Sequence, residues 1–206
     1  DVMMPLMNGL ELCAKIKNNI EYSHIPVILL TAKVLPRAKV EGFSYGADAY
    51  VEKPFTILQL HMQIRNLLKL RTTFQQHMTS FLPDAKPEEK EEEETGIQLT
   101  PQDQEFIKKM QEIIEQQLAD EGFSIDTLAS EMNMSRSNFY RKLKALSGMP
   151  PNDYLKNCRL NKAAQLLKEG YRVTEVFERT GFGSSSYFAK CFKAKFGVLP
   201  KDYISN

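Results

Sequence analysis

Residues 181–203 read GFGSSSYFAKCFKAKFGVLPKDY, and residues 132–154 read MNMSRSNFYRKLKALSGMPPNDY. The two stretches repeat one pattern of apolar, glycine, proline and tyrosine positions. The pairs 49 residues apart are Phe139 and Phe188, Leu143 and Phe192, Gly148 and Gly197, Pro151 and Pro200, and Tyr154 and Tyr203. Two earlier pairs, Ile125 with Val173 and Leu128 with Val176, are 48 residues apart. A repeat that keeps its apolar positions and takes up one extra residue at a turn is one structural unit used twice.

Each copy of this unit is predicted to be a helix-turn-helix. In the first copy Ser124 can cap a short helix, Asn133 ends it, and a second helix starts at Ser135 and stops at Gly148. In the second copy a glycine-containing turn at residues 181–183 separates the two helices. A long helix at residues 152–168 is predicted to connect the copies.

The outer faces of both second helices carry hydrogen-bond donors, small side chains and cations. These residues are Arg136, Ser137, Tyr140, Arg141 and Lys144 in the first copy, and Ser185, Ser186, Ala189, Lys190 and Lys193 in the second. A DNA major groove accepts a helix with such a face. The alternative is an ordinary amphipathic bundle whose basic residues are merely solvated.

Duplication and charge favour DNA over the plain bundle. Two such helices can enter successive major grooves about 34 Å apart on one face of a duplex. From residue 123 to the C-terminus there are fourteen Lys and Arg against seven Asp and Glu, within a chain of net charge +1. This local excess suits contacts with the phosphate backbone.

Residues 181–203 resemble the signature segment of AraC-type transcription regulators, and the resemblance extends from about Gln98 to the C-terminus. It implies that the two recognition helices read bases of double-stranded DNA. Carried over by position, the base-facing candidates are Ser137, Tyr140 and Arg141 in the first helix, and Ser185, Ser186, Ala189 and Lys190 in the second. Double-stranded DNA is therefore an expected partner, and a homodimer is a separate possible arrangement. The family usually has a small or aliphatic residue where Phe177 stands, so the packing of that helix is expected to differ.

An acidic stretch separates this region from the rest of the chain. Residues 84–94 read DAKPEEKEEEE, without an apolar side chain larger than alanine. Like charges at this density favour a solvated linker. The predicted domains are a receiver portion at 1–82, an acidic linker at 83–97 and an AraC-type DNA-binding domain at 98–206, which opens with a helix near Pro101.

The first part of the chain has an α/β pattern. Helices are predicted at residues 8–19, 37–45 and 57–72, and short strands at 27–30 and 49–51. Such alternation indicates βα units with a parallel sheet. The predicted fold class is therefore α+β multidomain: a partial α/β, flavodoxin-like portion followed by an all-α domain with two helix-turn-helix units.

Three polar residues, Asp1, Thr31 and Lys53, stand at the predicted strand ends of this portion. Sites in open α/β sheets form at the carboxyl ends of strands, so the three side chains can converge. A carboxylate can accept a phosphoryl group as an acyl phosphate, while a hydroxyl and an ammonium can bind its oxygens. Any one of them alone is more often structural.

The segments DVMMPLMNG, PVILLTA and GADAYVEKPF resemble, in order and spacing, the second half of a CheY-like response-regulator receiver, over roughly residues 1–72. The resemblance implies that Asp1 is the phosphoacceptor, that Thr31 and Lys53 contact the phosphoryl group, and that Tyr50 is the switch aromatic. It also implies Mg²⁺ as cofactor, held by Asp1 and the backbone carbonyl of Met3 in a complete receiver. A histidine kinase or phosphodonor domain is the implied partner, and the Lys53-Pro54 bond is expected to be cis.

A receiver normally has three strands and two helices before its phosphoacceptor, with an acidic pair that binds Mg²⁺, whereas this sequence starts at Asp1. We therefore expect the chain to be a fragment of a longer polypeptide that lacks the N-terminal half of the receiver. With one protein carboxylate the metal is expected to bind poorly. Such a fragment is not expected to be phosphorylated stably by itself.

The rest of the sequence favours a regulator over an enzyme. It has no nucleophile elbow, phosphate loop or zinc pattern, and its three cysteines are widely scattered, as expected of reduced thiols in the cytoplasm. We predict a transcription regulator, controlled by aspartyl phosphorylation in a two-component phosphorelay, with no membrane contact and no enzymatic activity of its own. A longer parent chain of the hybrid type would include a histidine kinase. The alternative is a phosphorelay or protein-interaction module whose helical domain does not bind DNA.

Overall fold

The computed structural model describes residues 1–32, 45–80 and 99–205. Within these ranges the chain forms two compact units. The first contains residues 1–32, 45–75 and 99–107, and the second contains residues 76–80 and 108–205. The acidic stretch at 84–94 and, apart from Tyr45, the predicted helix at 37–45 lie outside the described residues.

The first unit begins with a short helix and a two-stranded parallel sheet. Helix α1 (Gly9–Lys17) starts where the Asn8 side chain accepts a hydrogen bond from the Glu11 amide. Strand β1 (Ile28–Thr31) pairs with β2 (Ala49–Glu52), and Ile28 lies opposite Ala49. Both strands and the helix confirm the sequence pattern to within two residues at each end.

Helix α2 (Ile57–Ser80) follows the sheet. It continues for eight residues beyond the predicted end at residue 72, because no glycine or proline interrupts residues 57–80. Among the described residues, no helix is both long and apolar enough to cross a membrane.

An ion pair between the buried Lys17 and the exposed Asp48 lies at the end of the first unit where both strands begin. The Lys17 ammonium is 2.7 Å from the Asp48 carboxylate and donates to the Ile25 carbonyl oxygen at 2.9 Å. Asp48 in turn accepts a 2.6 Å hydrogen bond from the Val27 amide at the start of the sheet. These contacts join the end of α1 to the beginnings of both strands, around a small core that includes Cys13 and Leu29.

The chain from residue 101 onward is helical, and its elements follow the repeat; residues 101–107 of this stretch belong to the first unit. Helix α3 (Pro101–Gln117) leads to α4 (Ile125–Glu131) and α5 (Arg136–Ser147), which form the first helix-turn-helix. Helix α6 (Pro151–Lys168) connects them to α7 (Val173–Glu178) and α8 (Ser185–Phe196), which form the second. A 3₁₀ helix (Pro200–Ser205) ends the chain.

The start and stop signals of the two recognition helices, α5 and α8, are equivalent. Ser135 and Ser184 cap them by accepting a hydrogen bond from the amide three residues on. Gly148 and Gly197 end them in the left-handed conformation, with φ of 75° and 80°. The structure thus confirms the two helix-turn-helix units that the repeat predicts.

The predicted inner faces pack as expected. Phe139, Leu143 and Leu146 of α5 are buried, as are Phe188 and Phe192 of α8, whereas Cys191 and Phe196 are half-buried. Phe177, the residue that departs from the AraC pattern, lies against the ring of Phe188 with 6.3 Å between centroids. The larger side chain is therefore accommodated by an aromatic cluster.

Candidate phosphoacceptor site and nucleic-acid interface

The residues predicted at the strand ends of the first unit lie at one edge of the sheet. The Val2 amide donates to the Leu30 carbonyl oxygen at 3.0 Å, which places Asp1 beside the end of β1. The Lys53 amide donates to the Thr31 carbonyl oxygen at 2.7 Å and so continues the pairing of β1 with β2. The backbone thereby brings Asp1, Thr31 and Lys53 together although they are far apart in sequence.

Side-chain contact at this edge is direct for one pair. The Lys53 ammonium donates to the Asp1 carboxylate at 2.7 Å, and both side chains remain a little over one third exposed. The Lys53-Pro54 bond is cis, as the sequence predicts. An accessible carboxylate beside an ammonium is a suitable arrangement for accepting a dianionic group and neutralising its charge.

Tyr50 and the metal donors complete the predicted set. Tyr50 lies on β2 opposite Leu29, is half-buried, and burial raises the pKa of its hydroxyl. Met3 is largely exposed, so its carbonyl belongs to an open loop beside Asp1. Nowhere in the described ranges do three or more His, Cys, Asp or Glu side chains cluster so as to hold a metal ion.

On the first recognition helix the predicted outer residues are accessible to solvent, Tyr140 less so than the others. Arg136, Ser137, Arg141 and Lys144 are exposed and Tyr140 is half-buried. Arg136 pairs with Asp126 of α4 at 2.9 Å, and Arg141 donates to the Asn138 side chain one turn earlier. Lys142, the remaining cation of this helix, is fully buried and therefore belongs to the core.

On the second recognition helix Ser185, Ser186, Lys190 and Lys193 are exposed and Ala189 is half-buried. The outer face contains a further residue that the sequence pattern missed. Tyr187 is 53% exposed, although its ring lies 6.3 Å from that of Phe182. The sequence pattern assigned Tyr187 to neither face of the helix, and the exposure of its side chain shows that it lies on the surface.

Polar neighbours on α6 and α8 shift the pKa of the Tyr187 hydroxyl. A hydrogen bond and charge interaction with Cys191 raise the pKa of its hydroxyl, and burial adds to this in a minor way. The Lys156 ammonium, which donates to Asp153 at 2.6 Å, opposes the rise. The Tyr187 phenol therefore stays protonated and keeps a hydrogen-bond donor on the outer face.

Two protein families match this chain. The response regulator receiver domain family matches residues 1–65, and a helix-turn-helix domain family matches residues 128–206. These ranges coincide with the sheet-containing first unit and with the two helix-turn-helix copies.

Relatives of known name match the same regions. Histidine kinase P4 of Formosa agariphila is 36% identical over 204 residues, which are 98% of this chain and 14% of that kinase. Probable transcriptional regulator ycf29 of Pyropia yezoensis is 47% identical over 68 residues, which are 33% of this chain and 31% of that regulator. The chain thus spans less than one third of either relative's length.

Among solved structures, the C-terminal domain of the two-component response regulator yesN from Fusobacterium nucleatum is similar, with 30% identity and a TM-score of 0.46. The similarity covers 48% of this chain and 98% of that domain. The receiver edge at Asp1, the duplicated helix-turn-helix and the two family matches lead to one assignment. The chain thus combines a response regulator receiver portion with an AraC-type helix-turn-helix domain.

Proposed function

We propose that this chain is the output part of a two-component system, a transcription regulator that binds double-stranded DNA and is controlled by phosphorylation of Asp1. The observation that carries the proposal is the pair of recognition helices α5 and α8. Both are capped alike, both expose polar and cationic outer faces, and both occupy equivalent positions of one repeat. In an ordinary amphipathic bundle, whose basic residues are merely solvated, nothing would require the same exposed face on both helices.

The first recognition helix is proposed to supply most of the base reading. Arg141 donates a hydrogen bond to the Asn138 side chain. Part of the conformational entropy of the Arg141 side chain is therefore lost before DNA binds. A preorganised guanidinium suits the two acceptors of guanine in the major groove. Arg136, Ser137, Tyr140 and Lys144 lie on the same exposed face and complete this contact set.

The second recognition helix is proposed to make closer but less specific contacts. Ser185, Ser186 and Ala189 are small, so the helix backbone can approach the groove floor. Lys190 and Lys193 are exposed cations suited to phosphates, and Tyr187 adds a donor between them and the serines. The proposed division of labour is base recognition by α5 and mixed base and phosphate contact by α8.

At the receiver edge, Asp1 is proposed as the nucleophile. A carboxylate oxygen attacks the phosphorus of a phosphorylated histidine on the kinase or of a small phosphodonor. The bond from phosphorus to the donor's nitrogen or oxygen breaks, and an acyl phosphate forms. Lys53 then pairs with a phosphoryl oxygen in place of its present partner Asp1, and Thr31 binds another. Tyr50 on β2 is the proposed aromatic switch.

Mg²⁺ is the proposed cofactor of this transfer, since it neutralises charge on the moving phosphoryl group. The Asp1 carboxylate and the Met3 carbonyl are hard oxygen donors of the kind it prefers. Two protein oxygens are too few for a tight site, because Mg²⁺ favours six ligands. These residues alone therefore do not fit a resident ion.

The remaining assignments follow from this role. We assign residues 1–82 to the receiver, 83–97 to the linker and 98–206 to the DNA-binding domain. The regulator is proposed to work in the cytoplasm and to bind DNA as a homodimer, with the phosphoryl group supplied by its kinase partner.

DNA binding is tested by selecting duplexes from a random-sequence pool with the 206-residue chain, followed by fluorescence anisotropy over a salt series. We expect a selected duplex to bind more tightly than a scrambled one, and both affinities to fall steeply as salt rises. Selection that returns no preferred sequence, with no salt dependence, would support the protein-interaction alternative.

Phosphorylation is tested separately with the full-length gene product, acetyl phosphate and Mg²⁺. Phosphate-affinity electrophoresis is expected to show a shifted band that Asp1→Asn abolishes. A band that persists in Asp1→Asn would place the phosphoacceptor elsewhere and leave the DNA-binding result untouched.

A further inference from the structure

Arg159 lies at the middle of the connecting helix α6 and bonds to the chain that precedes the first helix-turn-helix. Its Nη2 atom donates to two carbonyl oxygens, those of Asp120 at 2.9 Å and Phe123 at 3.0 Å. Both acceptors belong to the loop between α3 and α4. Hydrogen bonds from a charged donor are stronger than those between neutral groups.

This loop is tied to the first helix-turn-helix, which it precedes. Leu118 and Phe123 at its ends are buried, and Ser124, directly after it, caps α4. Gln117 donates to both carboxylate oxygens of Glu131, at 2.6 and 2.8 Å, and so ties the end of α3 to the end of α4. A contact that fixes this loop therefore also fixes the start of α4.

The same guanidinium lies against the turn of the second helix-turn-helix. Gly181 has φ of +64°, and a Cβ placed there would be 3.0 Å from both Arg159 Nη2 and the Asp120 carbonyl oxygen. It would overlap the Leu118 carbonyl oxygen. A Cβ on Gly183, two residues on, would overlap the Glu121 carboxylate. The turn thus packs on the loop with only hydrogen atoms between them.

The Arg159 guanidinium keeps its positive charge in this contact. Burial lowers the pKa of Arg159, whereas Asp120 and Glu121 raise it, and an arginine remains protonated throughout the usual pH range. The loop of the first copy, the middle of α6 and the turn of the second copy therefore meet at one cationic side chain.

We propose that Arg159 is a positioning residue that fixes the distance and angle between the two recognition helices. The contact formed by Arg159, Asp120, Phe123 and Gly181 is termed the Arg159 clamp. The proposal rests on DNA binding by both helices, and it adds that the chain reads the spacing of its two half-sites as well as their sequences. Successive major grooves face the same side of a duplex only when separated by about one turn, so a rigid pair of helices discriminates against other spacings.

The experiment compares two duplexes. One is a duplex selected by the wild-type chain, and the other carries five extra base pairs between its two half-sites. We expect the insertion to weaken wild-type binding by about tenfold or more, because half a turn moves the second groove to the opposite face. In Arg159→Gln we expect binding to the original duplex to fall about tenfold, and the insertion penalty to shrink below about threefold.

Two variants separate positioning from charge. Arg179→Gln removes the same charge from an exposed arginine whose guanidinium lies 4.7 Å from the Tyr171 ring centroid, and it should keep the wild-type insertion penalty. Arg159→Lys keeps the charge and a donor, and it should give an intermediate penalty. Equal weakening of both duplexes by Arg159→Gln, with the insertion penalty unchanged, would overturn the proposal.

Hydrogen exchange provides a readout that does not depend on DNA. Arg159→Gln should speed exchange in the peptides covering residues 118–123 and 181–183 together, while those within α5 and α8 keep their protection. Unchanged exchange at residues 181–183 would show that no clamp exists. Failure to select any duplex would instead count against the proposed function, with the clamp still decided by exchange.

Discussion

The two helix-turn-helix copies reach the same backbone with different residues. Their recognition helices share a serine cap and a left-handed glycine end. Their cores differ, because Leu143 of the first copy corresponds to Phe192 of the second, whose ring lies 4.5 to 5.7 Å from those of Phe188, Phe196 and Tyr203. The termini of a helix are thus dictated by local chemistry, whereas a core accepts any well-packed set of apolar side chains.

The turns of the two copies differ because the second turn packs against the loop at residues 118–123. Asn133 and Gly181, 48 residues apart, both have positive φ, of 54° and 64°. Asn133 is exposed, so its side chain has room, whereas Gly181 is buried against the Leu118 carbonyl. The extra residue of the second copy is Gly183, just before the Ser184 cap. The same conformation therefore tolerates asparagine in one copy and requires glycine in the other.

The largest effect is expected in the two cores. Phe192→Ala removes a fully buried ring from the aromatic cluster and should lower the free energy of unfolding by about 3 to 5 kcal/mol, measured by urea denaturation. Leu143→Ala, at the equivalent and equally buried position, should cost somewhat less because it leaves a smaller cavity. A larger loss for Leu143→Ala would reverse the proposed contrast between the cores.

The turns provide the next comparison. Gly181→Ala should lose about 1 to 2 kcal/mol to the left-handed conformation and about 1 to 3 more to overlap with the Leu118 carbonyl. Asn133→Ala meets the conformational cost alone and should lose at most about 2 kcal/mol. Urea denaturation of both variants checks this, and equal losses would show that the turn packing adds nothing.

The outer faces differ in their expected effect on DNA. Arg141→Ala should weaken binding to a selected duplex by about 1 to 3 kcal/mol and relax preference at one base position. Lys193→Ala on α8 should weaken selected and scrambled duplexes alike, as expected of a phosphate contact. Fluorescence anisotropy with both duplexes measures this. An equal loss on both duplexes for Arg141→Ala would remove it from the base readers.

The smallest effect is expected at the caps, where the copies are most alike. Ser135→Ala and Ser184→Ala should each lower the free energy of unfolding by about 1 kcal/mol, since each removes one hydrogen bond to an orphan amide. Thermal denaturation of both variants at one pH measures the difference. Losses that differ by more than about 1 kcal/mol would mean that the two helix starts are less equivalent than their geometry.

Much of the placement of the proposed site residues could be predicted from the sequence because it depends on short-range patterns, whereas their roles stay predictions. Thr31 ends β1, Lys53 follows β2 and Asp1 lies beside the end of β1, and parallel strands bring such residues to one edge regardless of sequence separation. The outer residues of α5 and α8 followed from helical periodicity. Tyr187 was assigned to neither face of α8 from the sequence, and nothing in the neighbourhood of Arg159 distinguishes it from any other helix cation.

By itself the sequence determined the elements of this protein. Caps, glycines and apolar spacing act over a few residues, so the two helix-turn-helix units, their exposed recognition faces and the receiver strands are all present in the local pattern. Tertiary structure decided the contacts that no local pattern marks. The Arg159 clamp and the glycine required at 181 depend on contacts between segments dozens of residues apart, and the exposure of Tyr187 shows only in the folded domain.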